Sequence, residues 1–453
     1  MRVFCDAHPL SISPWDIRDH SGLRIFSLTS LPLTQFHKSS NSIKPLAAIN
    51  WKNSDDYKHW TFFLREDFYW EDGSPITGYD YLRGLNFLAH SPHHRFRSLL
   101  ADIAGFSKLD SCSSMIGLEA QSDRIYFRLR NPNRLWPLLL SFPGTAPKHP
   151  TNPDAESGAY KIESKSKESF HLKCRDRFFK STQKQITDII FNFQTSLDDP
   201  FAIKKWEENA LDMTWDTFFP YAKKHLFHNR SVFHQSRPQI LTFLSPQGCE
   251  HPPAPELMRF LYTAIDRLKL AEQLHHCPTP IYGYCHQDLP QISSEKNHPE
   301  TTLKIGYEDF FPNHDILLLL KDQLKPYGIT IDPIKVEYGD RPKSLNLRLE
   351  LLHNPLPDPF LMLRNEFMQK QFFDKHPVAW KRFSKLLTLY QMINNPSQNQ
   401  KLSQEMDLIL IEEGRIIPLL ELPGFYLCKP SVGYHEFQPG QHWSWTENEK
   451  VVP

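Results

Sequence analysis

At 453 residues the chain is long enough for two or three packed units rather than one growing core. Its 52 basic and 52 acidic residues balance to a formal net charge of zero, which excludes an overall basic footprint for nucleic acid. The longest apolar runs, such as Ile316–Leu320 and Leu408–Ile411, are far too short to cross a bilayer.

The start, Met1–Asp6, has no extended apolar region and no small-residue cleavage site. The expectation is a cytoplasmic protein if the sequence is complete as given, or a periplasmic or cell-surface one if an export signal was removed. Seven cysteines (5, 112, 174, 249, 277, 285 and 428) stand at wide spacing, an odd number, and read as reduced small hydrophobes rather than a disulfide framework. Leu23–Leu28 reads as a strand, and Ile43–Trp51 leads into the best-marked stretch of the chain. There Trp60–Arg65 has the bulky apolar residues of a half-buried strand, and Asp72-Gly73 is a turn in which glycine takes positive φ without a Cβ clash. Thr77 and Asp80 stand in capping-box spacing, and Leu82, Leu85 and Leu88 follow at helical spacing.

Farther on, Ile125–Leu129 alternates as a strand, and Trp136–Phe142 is apolar throughout. Phe170–Cys174 and Ile186–Phe193 read as strands and Phe201–Leu211 as a helix, with Thr214-Trp215-Asp216 after it. Gln239–Leu244 is an apolar crossover. Pro255 suits a first helical turn, where its missing N–H costs nothing, and one face then runs from Leu257 to Leu268. Residues 275–301 look like loop. Thr302–Tyr307, Asp315–Pro326 and Ile329–Tyr338 form a βαβ-like pattern, followed by a strand at Leu347–Leu352, a helix at Asn399–Glu413 and a strand at Ile416–Leu420.

In order and gaps, these stretches resemble the family 5 solute-binding proteins, the oligopeptide- and nickel-binding class of ABC importers. The resemblance rests on Trp60–Arg65 with Trp70–Asp80, on Ser157–Ile162, on Ala264-Ile265-Asp266-Arg267, and on Asp358-Pro359 with Ile416–Leu420. It implies a two-lobed α/β fold like the type II periplasmic binding proteins, with an extra sub-domain. Lobe I would take residues 1–28, 145–240 and 421–453, the sub-domain 29–144, and lobe II 241–420. The implied function is a substrate-binding component that closes its lobes on an oligopeptide or related small solute and docks on a membrane permease as a monomer. Two alternatives stand beside it: a cytoplasmic ligand sensor related to the solute-binding domain of transcription regulators, and a nickel or metal-chelate binder.

No catalytic constellation, Walker loop or dinucleotide fingerprint is present, so neither an enzyme nor a cofactor is expected. Cys249-Glu250-His251, His275-His276-Cys277 and Cys285-His286 carry metal-binding residue types without ligand spacing, and no metal site is assigned. In the peptide-binding branch an aspartate of the motif that ends in Asp-Pro pairs with the ligand's amine; here that position is Pro355. The resemblance leaves Asp358, His20, His353 and Asn354 as cleft candidates, with Trp215 either a core aromatic or a rim contact.

Overall fold

The computed structural model describes residues 1–5, 7–37, 42–91, 97–106, 117–175, 186–193, 201–214, 232–274, 278–284, 292, 300–353, 358–359, 362–364 and 376–432. Three larger sheets organise them. The first lobe is built on a five-stranded sheet in the order Met213–Thr214, Arg2–Cys5, Asp188–Phe193, Ser169–Cys174, Tyr160–Lys165. Arg2–Cys5 lies parallel to both of its neighbours, so the start of the chain is the middle of this lobe rather than its edge.

The second lobe is built on six strands in the order Thr279–Pro280, Ile417–Leu427, Phe233–Ser245, Leu347–His353, Thr301–Glu308, Ile329–Val336. Thr301–Glu308 and Ile329–Val336 pair in parallel and are joined by the helix Asn313–Leu324, the βαβ unit expected from the pattern. Gly328, at φ +73°, ends the short 3₁₀ turn after that helix.

A smaller unit is built on a four-stranded sheet, Ala48–Asn53, His59–Leu64, Arg124–Arg128 and Leu118–Gln121. It carries the best-marked stretch. The capping box is formed: Asp80 Oδ2 accepts from the Thr77 N–H at 2.7 Å, and the helix Gly78–His90 follows with Leu85 and Leu88 fully buried. One apolar core runs through all three sheets. No helix among the described residues is long and apolar enough to cross a membrane.

Three local readings differ from the structure. Leu23–Leu28 belongs to a helix, His20–Thr29, because Asp19 accepts from the Gly22 N–H as N-cap and nearly every residue behind it is buried. Its polar residues Ser21, Arg24, Ser27 and Thr29 are buried along with the apolar ones, so no solvent-facing polar stripe marks the helix. The apolar face from Leu257 to Leu268 is split: one helix ends at Ala264, and Asp266 caps a second, Arg267–Gln273, leaving Leu268 61% exposed. A helix at Pro377–Met392 was not anticipated, although Pro377 at its start and Phe383, Leu386, Leu387 and Tyr390 on its buried face carry the signal. Of the cysteines, Cys5 and Cys428 are buried, Cys174 and Cys249 are half-buried, and all four are free thiols; Cys112, Cys277 and Cys285 lie outside the described residues.

Candidate functional site

Two long strands, Phe233–Ser245 and Ile417–Leu427, run antiparallel from one lobe to the other. At the first-lobe end Leu427 N–H donates to Thr214 Oγ1 at 2.8 Å, and Lys429 reaches Asp212 at 2.9 Å. There Phe233 stacks on Phe425 and His234 on Tyr426. At the second-lobe end Thr242 Oγ1 donates to the Leu420 carbonyl and accepts from its N–H. Between these ends Pro238 faces Pro423, and the register shifts on both sides of Pro238. Proline brings no N–H to a ladder, so the ribbon is least tied at that level.

Glu421 lies two residues from Pro423, opposite Leu241 on one side and Thr279 on the other. The other ten residues of its strand are buried; Glu421 alone is half-exposed. Among the described residues its carboxylate has no hydrogen bond or ion pair, and burial pushes its pKa above the ordinary glutamate value.

The far rim of the cleft is crossed by a polar contact. Asp19 Oδ2 accepts from Tyr338 Oη of the second lobe at 3.0 Å, and the same carboxylate takes the Leu10 and Gly22 amides. Burial raises the Asp19 pKa, against these donors, which favour its charged form. Tyr338 follows the end of Ile329–Val336, and Gly339 approaches the Leu10 side chain so closely that a Cβ there would lie 3.0 Å from it. Behind this rim Arg348 donates to Glu350 at 3.1 Å and to the Asp340 carbonyl at 2.7 Å, and Arg341 donates to Glu350 at 2.9 Å. Glu308 accepts from the Gly339 N–H at 2.9 Å, and burial raises its pKa.

The residues named from sequence fall in different places. His20 is the first residue of its helix, next to Asp19. His353 ends the strand Leu347–His353, paired with Ile240 of the crossover ribbon. Asp358 Oδ1 accepts from Tyr390 Oη at 3.0 Å, which ties it to the helix Pro377–Met392. Trp215 and Asn354 lie outside the described residues, as do His275–Cys277 and Cys285-His286. Sequence reading missed Asp19, Tyr338 and Glu421. A lone acid inside an eleven-residue apolar strand is the signal that marks Glu421.

A sequence profile of the bacterial extracellular solute-binding proteins, family 5 Middle, matches residues 42–296. A putative binding protein of Haemophilus influenzae is 23% identical over 201 residues, which span 42% of this chain and 38% of that relative. The H. influenzae periplasmic oligopeptide-binding protein OppA is 43% identical over 44 residues, 10% of this chain and 8% of its own length. The matched stretches thus span well under half of either curated relative. Among solved structures, H. influenzae OppA in complex with RPPGFSPFR superposes with a TM-score of 0.81 at 16% identity, over 99% of this chain and 98% of that one. The Escherichia coli murein tripeptide binding protein MppA superposes at 0.78 with 16% identity, over 96% and 94%. Its unliganded open form superposes only at 0.66, also at 16% identity, over 96% and 93%. The shared architecture is the two-lobed periplasmic-binding-protein-like α/β fold.

Proposed function

Because the chain belongs to the bacterial extracellular solute-binding proteins, family 5, we propose that it is the substrate-binding component of an ABC importer for peptides or related small solutes. In this reading it works outside the cytoplasm and performs no chemistry. The solute is held between the lobes, which swing about the level of Pro238 and Pro423, and the closed form is offered to a membrane permease. The observation that carries the reading is the family match itself, joined to a ribbon that crosses between two lobes and is least tied at its middle.

His20, Trp215, His353, Asn354 and Asp358 remain the proposed cleft contacts, with Glu421 added at the foot of the ribbon. A half-buried carboxylate without a protein partner favours a solute that brings a positive charge, since the two charges offset one another's desolvation. With the position of the usual amine partner taken by Pro355, Glu421 is the acid we assign to that role.

The test is calorimetric titration with free-amine tripeptides, their N-acetylated counterparts and a nickel–histidine chelate. Saturable binding of free-amine peptides is expected, weakened about tenfold by Glu421→Gln (roughly 1.4 kcal/mol), with acetylated peptides little changed. Binding of the chelate alone would move the solute class to metal complexes. Binding of none of these would count against the reading.

A further inference from the structure

The four-stranded unit meets the second lobe through a buried charge. Asp102 is 4% exposed and Arg364 3% exposed, and the Arg364 guanidinium donates to Asp102 Oδ2 at 2.6 Å. The same oxygen accepts from Gln391 Nε2 at 2.8 Å and from Asn133 Nδ2 at 3.1 Å, while Oδ1 accepts from Asn131 Nδ2 at 3.4 Å. The donors come from two bodies. Asn131 and Asn133 follow the strand Arg124–Arg128 of the four-stranded unit and hold the carboxylate from its own side. Gln391, on the helix Pro377–Met392, and Arg364 reach it from the second lobe. Beside them Arg134 N–H donates to the Gln391 carbonyl at 3.0 Å, and Arg134 Nε donates to the Ile393 carbonyl.

We propose that this cluster is a latch. Asp102 with Arg364 and Gln391 holds the cleft shut, and the cluster comes apart whenever the second lobe swings open. The inference rests on the reading that the lobes open and close. The nature of the contact supports a separable seam. A buried ion pair contributes little net stability compared with apolar packing, because each charge loses its hydration; once parted, both groups are well solvated again. An apolar seam of equal area offers no such exit, since parting it exposes surface that water disfavours. The Asp19–Tyr338 contact also joins the two lobes, so they are tied at two places away from the ribbon.

The latch predicts that the protein without solute spends much of its time closed, and that weakening Asp102 opens one seam and not the rest of the fold. Native-state amide exchange on the full chain, with no solute added, reads this directly. The Arg134 amide is bonded across the seam to Gln391, whereas the Thr34 amide is bonded to Leu140 away from it. In Asp102→Asn, Arg134 exchange is expected to rise about tenfold or more with Thr34 unchanged. Gln391→Leu keeps the ion pair and removes one donor; it should shift Arg134 in the same direction, about threefold, and it carries the test if the first variant folds poorly. Equal acceleration of both amides would mean that Asp102 only stabilises the fold, and an unmoved Arg134 would mean that the seam does not part; either result overturns the latch. No solute enters the measurement, so failure of the peptide reading leaves this outcome intact.

Discussion

The four-stranded unit has two seams, and they differ in where their charges lie. The first-lobe seam has exposed carboxylates in its ion pairs, Glu71 with Lys161 and Asp72 with His149, whereas the second-lobe seam buries its ion pair. Toward the first lobe it is held by aromatic and backbone packing. The Lys148 N–H donates to the Asp80 carbonyl at 2.9 Å, and Arg83 Nε donates to the Lys148 carbonyl at 3.2 Å. Gly84 lies so close to Ala146 that a Cβ would stand 2.1 Å from its carbonyl oxygen. Phe87 meets the Trp15 ring edge-on, and Lys148 Nζ lies 4.6 Å from both ring centres. Toward the second lobe the unit is held by the Asp102 carboxylate with the donors gathered on it and by Arg134, which donates to the Gln391 and Ile393 carbonyls. Packing of the first kind resists separation; an ion pair in a polar nest is reversible. On the latch proposal the second seam is the boundary that parts and the first the one that stays.

The largest effect is expected where the fixed seam is damaged. Trp15→Ala removes a buried indole and its hydrogen bond, and should lower unfolding stability by about 3–5 kcal/mol in urea titration. Arg134 and Thr34 amides would then accelerate together, because the whole fold is weakened. A loss confined to Arg134 would erase the contrast between the seams.

A smaller effect, of opposite sign, is expected from turning the second seam into the first kind. The pair Asp102→Leu with Arg364→Met replaces the buried charges by apolar groups, and stability should hold or rise by about 1–4 kcal/mol. The Arg134 amide should slow, and solute should enter and leave more slowly, in stopped-flow experiments with a fluorescent tripeptide. Faster exchange in this double variant would show that the charges add more than reversibility.

The smallest effect is a pH dependence placed on the fixed seam. Glu156 accepts from the Ile162 N–H, and its main-chain carbonyl takes Arg175, which also donates to the Tyr69 carbonyl across the seam. Burial, with Glu71 adding to it, raises the Glu156 pKa to about 7, against the Ile162 amide and Arg175, which lower it. The native state therefore holds this proton more tightly than the unfolded chain does. Stability from this group grows as pH falls from above 7 toward the ordinary carboxylate range and is lost as pH rises through about 7. Urea midpoints at about pH 8 and about pH 6 should differ in that direction, and Glu156→Gln should remove the difference.

Much of the frame was legible because its causes are local. The Asp-Gly turn, the Thr77–Asp80 capping box and the βαβ around Asn313–Leu324 each place their signal within a few residues, and each is found where the pattern puts it. The crossover at Gln239–Leu244 was visible as an apolar run, although its true length, Phe233–Ser245, was not. The helix His20–Thr29 was misread because the six residues Leu23–Leu28 are too short to separate helix from strand by period, and its cap, Asp19, lies outside them. The break at Ile265-Asp266 was masked by an unbroken apolar period, and the cap that makes it is a single side chain accepting from the Lys269 N–H.

The site was less legible than the frame. A chain of this order and spacing determines by itself its turns, its caps and a βαβ pattern, since these are set by neighbours in sequence, and the two-lobed fold followed from the resemblance those stretches carry. Which charges meet is a different matter. Asp102 lies 262 residues from Arg364 and 289 from Gln391, and Asp19 lies 319 from Tyr338. No local pattern records such pairs. A carboxylate shows the same letter whether it is hydrated, latched or left half-buried beside a hinge, and only the packed lobes decide which water it loses and which donors replace that water.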